Sequence, residues 1–470
     1  MTSPETDINK NRSSSFVISL ESLRNFFGSG ETKSYPFRKE QLQKLKNAVL
    51  KHEQDLYDAL YTDLKKNKEE AWVTEIGFLI AEINAALKNL RSWMKPVQAK
   101  TNLVNFPSSS FVLHEPLGVV LIIGPWNYPL QLLFTPLVGA IAAGNCAVLK
   151  SSEFAPATSH IMKQIIKEAF PKEYVLFVEG DGREVISQMM NDFVFDHIFY
   201  TGGTEVGKII YQMAAKNLVP VTLELGGKSP CLVESDANIK VAARRIVVTK
   251  FSNAGQMCVT PDYVLVNASM KDKLIEELKK CIQQFYSEDP STDYNYGRII
   301  NQKQFNRIVN YLKEGNIIYG GKYNESKLYI EPTLIHNVSL ESPLMQEEIF
   351  GPILPIISFE TKQDALNIIS QNKNPLSCFV FTESKANEKF WLQHVAFGGG
   401  CINNASWHLT NHYLPFGGRG FSGIGNYHGK YSFETFSHKK AIMKTPTWFD
   451  PVIKYPPFKG KLKLFKWIVK

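Results

Sequence analysis

The chain has 470 residues, which at ~150 residues per domain implies about three domains. It is 44% hydrophobic and 21% charged, an ordinary globular mixture that excludes intrinsic disorder as the main state. Its 30 Gly and 24 Pro follow no fixed period, which excludes fibrous classes. The net charge of +8 is largely local, because six lysines and no acid lie between Lys454 and Lys470. The body carries no basic stripe, so no nucleic-acid partner is expected.

The start, Met1-Thr-Ser-Pro-Glu-Thr-Asp7, has neither a basic nor an apolar leader region, so no signal peptide is expected. Residues 1–15 are polar and should fray. From Leu20 to Lys95 the apolar residues recur at spacing three and four (Leu42, Leu45, Val49; Leu79, Ile83, Leu87, Leu90), which predicts two or three long helices. A regular alternation follows. Short apolar runs at Val119–Ile123, Cys146–Leu149, Val175–Val178, His197–Tyr200 and Pro220–Glu224 are separated by helix-like stretches from about Leu130, Pro156, Arg183 and Thr204. This pattern predicts βαβ units and a doubly wound parallel sheet, which binds ligands at the carboxyl ends of its strands. The stretch Leu121–Leu149 is apolar but broken by Pro125, Pro129, Pro136, Gly139 and Gly144, so it reads as buried core and not as a membrane span.

A second α/β set begins near Gly226. Its expected strands are Tyr263–Val266, Ile353–Phe359 and Cys378–Phe381. Its expected helices are Lys271–Tyr286, Gln302–Glu314, Lys362–Ser370 and Glu388–Val395. Gly398-Gly-Gly400 opens a glycine-rich C-terminal region.

Six cysteines form no CxxC or Cys/His zinc pattern, so no metal site is expected and the thiols are expected reduced, in a cytoplasmic protein. His408 and His412 have i,i+4 spacing, but they stand among Gly and Pro with no third ligand. Four cysteines (Cys146, Cys231, Cys281, Cys378) lie in apolar runs or on helix faces and read as small buried hydrophobes. Cys258 differs: it stands in Asn253-Ala-Gly-Gln-Met-Cys258, among small, polar, turn-forming residues where a reactive thiol needs to be. Glu224 ends the fifth apolar run, just before Gly226-Gly227. It reads either as a carboxylate paired with Lys228 or as a base at the ligand edge of the sheet. Asn127, in Gly124-Pro-Trp-Asn-Tyr-Pro129, is a turn residue or an amide donor for an oxyanion. Gly202-Gly-Thr-Glu-Val-Gly207 joins a strand to a helix, where a backbone can cradle phosphate. A perfect GxGxxG at Gly418–Gly423 has no strand leading into it and reads as a tight loop.

Taken together, these motifs resemble the aldehyde dehydrogenase superfamily, in its class 3 and fatty aldehyde dehydrogenase branch. The resemblance runs from about residue 40 to residue 457. It includes Leu149-Lys-Ser-Ser-Glu-Phe-Ala-Pro156, Leu223-Glu-Leu-Gly-Gly-Lys-Ser-Pro230, Gln346-Glu-Glu-Ile-Phe-Gly-Pro352, Leu414-Pro-Phe-Gly-Gly418 and Tyr427-His-Gly-Lys430. The resemblance implies Cys258 as nucleophile, Glu224 as general base and Asn127 as oxyanion amide. It implies Lys150 and Glu153 at an adenosine ribose, and Gly202 and Gly207 at a phosphate turn. Trp126, Glu348 and Phe350 would lie near the nicotinamide. The expected cofactor is NAD, with NADP also accommodated, and Glu153 favours NAD because it would repel a 2′-phosphate.

The implied reaction turns an aldehyde into a carboxylate through a cysteine thiohemiacetal and thioester. The implied architecture is a cofactor domain (1–99 and 118–223), a catalytic domain (224–402), a bridging sheet (100–117 and 403–446) and a basic tail (447–470). Exposed edges of the bridging sheet imply a homodimer. Two positions depart from the family pattern, Met257 and Thr260, and both are expected to reshape the aldehyde tunnel. Trp126, Tyr128, Leu130 and Trp407 point to a medium-to-long aliphatic or an aromatic aldehyde. The tail mixes Lys with Leu, Phe, Trp and Ile, and is expected either to dock on its own protein or to touch an anionic membrane surface.

Overall fold

The computed structural model describes residues 18–469. The polar stretch over residues 1–15 lies outside the described residues.

A six-stranded sheet carries the first alternation. Its order is Gly423–Ile424, Val221–Glu224, His197–Thr201, Val119–Ile123, Cys146–Lys150 and Val175–Val178. The five strands predicted from the apolar runs are all present and pair in parallel. The sixth is an antiparallel addition from the C-terminal glycine-rich region, Gly423 opposite Glu224. The order reverses between Val119–Ile123 and His197–Thr201, which creates a crevice at the carboxyl ends of those two strands. Helices cover both faces, so Val119–Ile123 and Cys146–Lys150 are buried throughout.

The helix Pro129–Ala143 is buried at all 15 positions. It is apolar all round because the sheet lies on one side and the helices Tyr35–Lys51, Gly77–Trp93 and Lys430–Thr435 on the others. This accounts for the broken apolar stretch as core. Among the described residues, no helix is long and apolar enough to cross a membrane.

Helical residues run over 18–28, and the helices Tyr35–Lys51 and Glu53–Leu64 and a continuous run from Lys68 to Trp93 follow. Gly77 does not break this last run. A wide turn at Trp72–Ile76 carries the helix through it, and a Cβ on Gly77 would stand 2.9 Å from the Trp72 carbonyl oxygen.

A seven-stranded sheet follows, in the order Asn316–Tyr319, Thr333–His336, Ile353–Phe359, Tyr263–Asn267, Pro230–Val233, Ser377–Phe381 and Gly399–Ile402. Three of these strands are the expected ones and four are not. Pro230–Val233 and Gly399–Ile402 carry proline and glycine, which weaken the strand pattern, and Asn316–Tyr319 and Thr333–His336 are four-residue strands too short to show a period. The third sheet joins Val97–Ala99, Ser109–Pro116 and Ser437–Lys444, with Ser437 opposite Pro116 and Lys444 opposite Ser109.

Candidate active site

The two large sheets face each other across a cleft of about 880 Å³. Its floor is the crevice of the six-stranded sheet. The strand Val119–Ile123 ends at Gly124, whose N–H donates to the Lys150 carbonyl at 3.0 Å. Trp126, Asn127 and Tyr128 fill the turn into the helix Pro129–Ala143, and all three line the cleft. The next strand, His197–Thr201, delivers Thr201, Gly202 and Gly203. The strand Val221–Glu224 delivers Glu224.

From the opposite side comes the loop 252–262, between the helix Ile239–Phe251 and the strand Tyr263–Asn267. It carries Met257 and Cys258 into the cleft. Three consecutive residues in it are left-handed: Asn253 at φ 48°, Ala254 at φ 51° and Gly255 at φ 76°. Such a backbone costs on the order of 1–3 kcal/mol at each non-glycine residue, so its surroundings must hold it. They do. The Asn253 N–H donates to Glu70 Oε1 at 2.8 Å, and Asn253 Nδ2 donates to the Asn127 backbone carbonyl at 2.9 Å. Gln256 Nε2 donates to the Arg298 carbonyl at 2.9 Å, and Gln256 Oε1 accepts from Ile300 N–H at 3.0 Å. A Cβ at Gly255 would fall 2.3 Å from the Gly351 oxygen, so the loop passes directly against its neighbour.

Asn127 is buried, and its Nδ2 donates to the Gln256 carbonyl at 3.0 Å. An amide nitrogen has two donors, so one remains for a ligand. The turn itself is pinned by a buried ion pair. Lys66 Nζ donates to Glu75 Oε1 at 2.7 Å and to the Asn127 carbonyl at 2.8 Å, and stands 3.8 Å from the Tyr128 ring centre. Glu75 Oε2 in turn accepts from the Leu130 and Gln131 N–H groups at 3.1 and 3.0 Å. These are first-turn amides, which lack partners within their helix and favour a negative charge. Lys66 and Glu75 lie far from any motif, and sequence reading passed over both. A lysine in the short link between two helices and a glutamate in the helical run after it look like surface residues until the fold buries them.

The titratable groups are displaced by burial. Glu224 is buried, and neither carboxylate oxygen has a hydrogen-bond partner. Its pKa is raised well above the usual carboxylate range by desolvation. Lys228 is not its partner: it bonds to Asp262 and to the Leu344 carbonyl, which removes the simple pairing as an account of Glu224. The half-buried Cys258 thiol is raised by desolvation and by the carboxylates of Glu348 and Glu224. Glu348 is raised to about 8 by burial and by Asp262.

Trp126 and Phe350 meet edge to face at 5.4 Å, and Phe350 is itself left-handed at φ 48°. Glu348 lies so close to Gly226 that a Cβ there would come within 1.9 Å of Oε2. Thus Trp126, Asn127, Gly202, Glu224, Cys258, Glu348 and Phe350 share one cleft.

Lys150 and Glu153 lie at the end of the neighbouring strand, outside the residues that line this cleft. Lys150 Nζ is 3.4 Å from Glu153 Oε2, and Glu153 Oε1 accepts from Gly182 N–H at 3.3 Å. Gly207 lies one turn inside the helix Thr204–Ala215, packed against Leu225 and Tyr200. Its missing side chain brings helix and sheet together, and the turn itself is made by Gly202 and Gly203. Of the two departures, Met257 lines the cleft and accepts from the Tyr128 hydroxyl at 3.5 Å. Thr260 is buried and does not line it. Leu130 is likewise fully buried and outside the lining, whereas Trp126, Tyr128 and Trp407 line it.

These residues fit a dinucleotide. Thr201 Oγ1 and both Glu224 oxygens are buried and without partners beside the cleft. A Cβ on Gly203, the cap of the helix Thr204–Ala215, would meet nothing within 4 Å, which leaves that helix terminus open to an anion.

The aldehyde dehydrogenase family model matches residues 24–442. The chain is 48% identical over 443 residues to 4,4'-diaponeurosporen-aldehyde dehydrogenase of Staphylococcus aureus, covering 94% of this chain and 96% of that one. It is 42% identical over 449 residues to aldehyde dehydrogenase family 3 member B1 of Mus musculus, covering 95% and 96%. It superposes on the substrate-bound state of Staphylococcus aureus AldH with a TM-score of 0.93 at 46% identity, covering 96% of this chain and 99% of that one. Its sheets, its cleft and these similarities agree: the chain belongs to the aldehyde dehydrogenase family, oxidoreductases of the aldehyde group that use NAD(P), and within it to the class 3-like branch.

Proposed function

We propose that the chain oxidises a medium-to-long aliphatic or an aromatic aldehyde to its carboxylate, with Cys258 as nucleophile, Glu224 as base and Asn127 as oxyanion donor. The observation that carries this reading is the convergence of all three on one cleft with Glu348, Phe350 and Trp126.

The thiol of Cys258 is raised by burial, so its proton must pass to a base before the sulfur attacks, and Glu348 and Glu224 are carboxylates of the same cleft that can take it. Its sulfur adds to the aldehyde carbon, and the carbonyl oxygen becomes an alkoxide. The unused N–H of Asn127 and the Cys258 backbone N–H stabilise that charge; one such donor is typically worth ~3 kcal/mol of barrier. When bound, the nicotinamide supplies the acceptor for the hydride. The thioester left on Cys258 is hydrolysed by water that gives its proton to Glu224, and the carbon–sulfur bond breaks as the acid forms. A hydrolytic base would waste a thioester meant for coenzyme A, so Glu224 favours hydrolysis over acyl transfer.

For the cofactor, Lys150 and Glu153 would hold the adenosine ribose. Gly202 and the start of the helix Thr204–Ala215 would hold phosphate, with Gly207 bringing that helix to the sheet. Trp126, Glu348 and Phe350 would bound the nicotinamide end. Glu153 favours NAD over NADP. The division into cofactor and catalytic parts at residue 224, homodimer assembly through the largely exposed strand Ser437–Lys444, a cytoplasmic setting and contact of the basic tail with a membrane belong to the same reading.

The test is absorbance at 340 nm with purified protein, aliphatic and aromatic aldehydes, and NAD or NADP, beside Cys258→Ala. Reduced cofactor is expected with the intact cysteine only, and more with NAD. Turnover that requires coenzyme A, or none with either cofactor, would overturn the assignment.

A further inference from the structure

Outside the cleft, the C-terminal element has the most unusual chemistry of the chain. After Asp450 no acidic residue remains, while Lys454, Lys459, Lys461, Lys463 and Lys466 follow within a short span. The helix Leu462–Val469 ends the described chain. Lys463 and Lys466 share one side of it, and Leu462, Leu464, Phe465 and Trp467 occupy the rest of its circumference. Phe465 is partly buried and meets the exposed Phe458 of the same tail at 5.8 Å edge to face, and Trp467 is 74% exposed with Leu462 and Leu464 exposed too.

A second segment, distant in sequence, meets this helix. The turn Leu103–Asn105 packs against it, and Leu103 in that turn is 86% exposed and Phe106, just after it, 66%. Isolated exposed apolar residues need no explanation, but two converging segments that both expose large apolar side chains beside five lysines do. A docking site within this protein would bury the rings. A partner surface that accepts apolar side chains while attracting ammonium groups is the headgroup region of an anionic bilayer, where Trp and Phe settle at the interface and lysines reach up to phosphate.

We propose that the helix Leu462–Val469, its lysine-rich approach and the turn Leu103–Asn105 form one platform that seats the protein on an anionic lipid surface. This rests on the reading of the tail given under Proposed function. It adds the second segment and the lipid class, and it places the enzyme where aldehydes with long apolar chains partition.

The test is flotation of the full chain with vesicles of phosphatidylcholine alone or with added phosphatidylglycerol. Each sample is also assayed at 340 nm on a water-soluble aldehyde. Binding is expected on the anionic vesicles only. Replacing Lys461, Lys463 and Lys466 together with Gln should weaken it about a hundredfold, from roughly fivefold per lysine near the surface. Leu103→Asp, far from the tail in sequence, should weaken it as well, while activity on the soluble aldehyde stays at the wild-type level in every variant. Equal binding to neutral and anionic vesicles, or none to either, overturns the proposal. Anionic binding that Leu103→Asp leaves unchanged overturns the joint platform. Concentration-dependent self-association lost on truncation before Lys454, without vesicle binding, assigns the face to a second copy and also overturns it. Absence of activity in the wild-type chain would instead sink the functional assignment, which the vesicle result leaves untouched.

Discussion

Glu75→Gln is the substitution that probes the scaffold beneath Asn127. It keeps the shape of the side chain and removes the charge opposite Lys66, while both side chains have no solvent exposure. The Lys66 ammonium keeps the Asn127 carbonyl and the face of Tyr128, but a neutral amide replaces its counter-charge. Breaking a buried pair from one side typically costs ~3–5 kcal/mol, because the remaining charge stays desolvated. Folded proteins hold only ~5–15 kcal/mol in all, so the loss should move the urea midpoint clearly. The amide oxygen also cannot serve Lys66, Leu130 and Gln131 as two carboxylate oxygens do. The turn that carries Asn127 should therefore loosen, and with Asn127 in its proposed role a shift of ~1 Å there costs up to ~10²-fold in rate.

The assays are urea unfolding followed by tryptophan fluorescence, and kcat from absorbance at 340 nm. The double variant Lys66→Met/Glu75→Leu separates the two effects. It should regain most of the stability, since apolar replacement of a buried pair is often neutral or better. It should not regain kcat, because the contact from Lys66 to the Asn127 carbonyl is gone. A Glu75→Gln protein within ~1 kcal/mol of wild type, with unchanged kcat, would refute the reasoning.

Other outcomes follow from the same geometry. On the roles proposed above, in which Cys258 forms the thioester and Glu224 serves its hydrolysis, Glu224→Gln should retain a first-turnover burst of reduced cofactor and then stall; stopped-flow absorbance with full steady turnover would contradict the proposed role. Gly226→Ala should push the Glu348 carboxylate from its place, since the new Cβ would stand 1.9 Å from Oε2. The KM for NAD should rise in a protein that still folds, and an unchanged KM would remove Glu348 from the cofactor site. His197 is buried, accepts or donates one bond with Thr222 Oγ1 at 3.1 Å, and has its pKa lowered to about 4 by desolvation. The unfolded histidine takes up a proton below pH ~6.5 and the folded one does not until about 4. The stability of wild type relative to His197→Gln should therefore be greatest above pH ~6.5. It should fall by up to ~3 kcal/mol as the pH drops to about 4. Urea midpoints at several pH values measure this, and a flat difference would exclude it.

Much of the molecule was legible from local pattern. The five parallel strands announced themselves as short apolar runs, because strands covered on both faces must be apolar throughout. The turns after them were marked by Gly124, Gly202 and Gly226, and these turns lie where a doubly wound sheet opens toward a ligand. Cys258 stood apart from four other cysteines by the polarity of its neighbours alone. Tertiary structure decided what local pattern could not. It brought Lys66, from the link after the helix Glu53–Leu64, and Glu75, from the helical run from Lys68 to Trp93, to the back of Asn127. It closed the sheet with Gly423–Ile424 from the far end of the chain, and kept Gly207 and Thr260 out of the cleft while admitting Met257. The physical reason is the same in each case. Periodicity and turn chemistry act over a few residues, so they are written along the chain. Burial of a charge, the pairing of an edge strand and the lining of a cavity depend on which distant segments meet, and only the packed fold sets that.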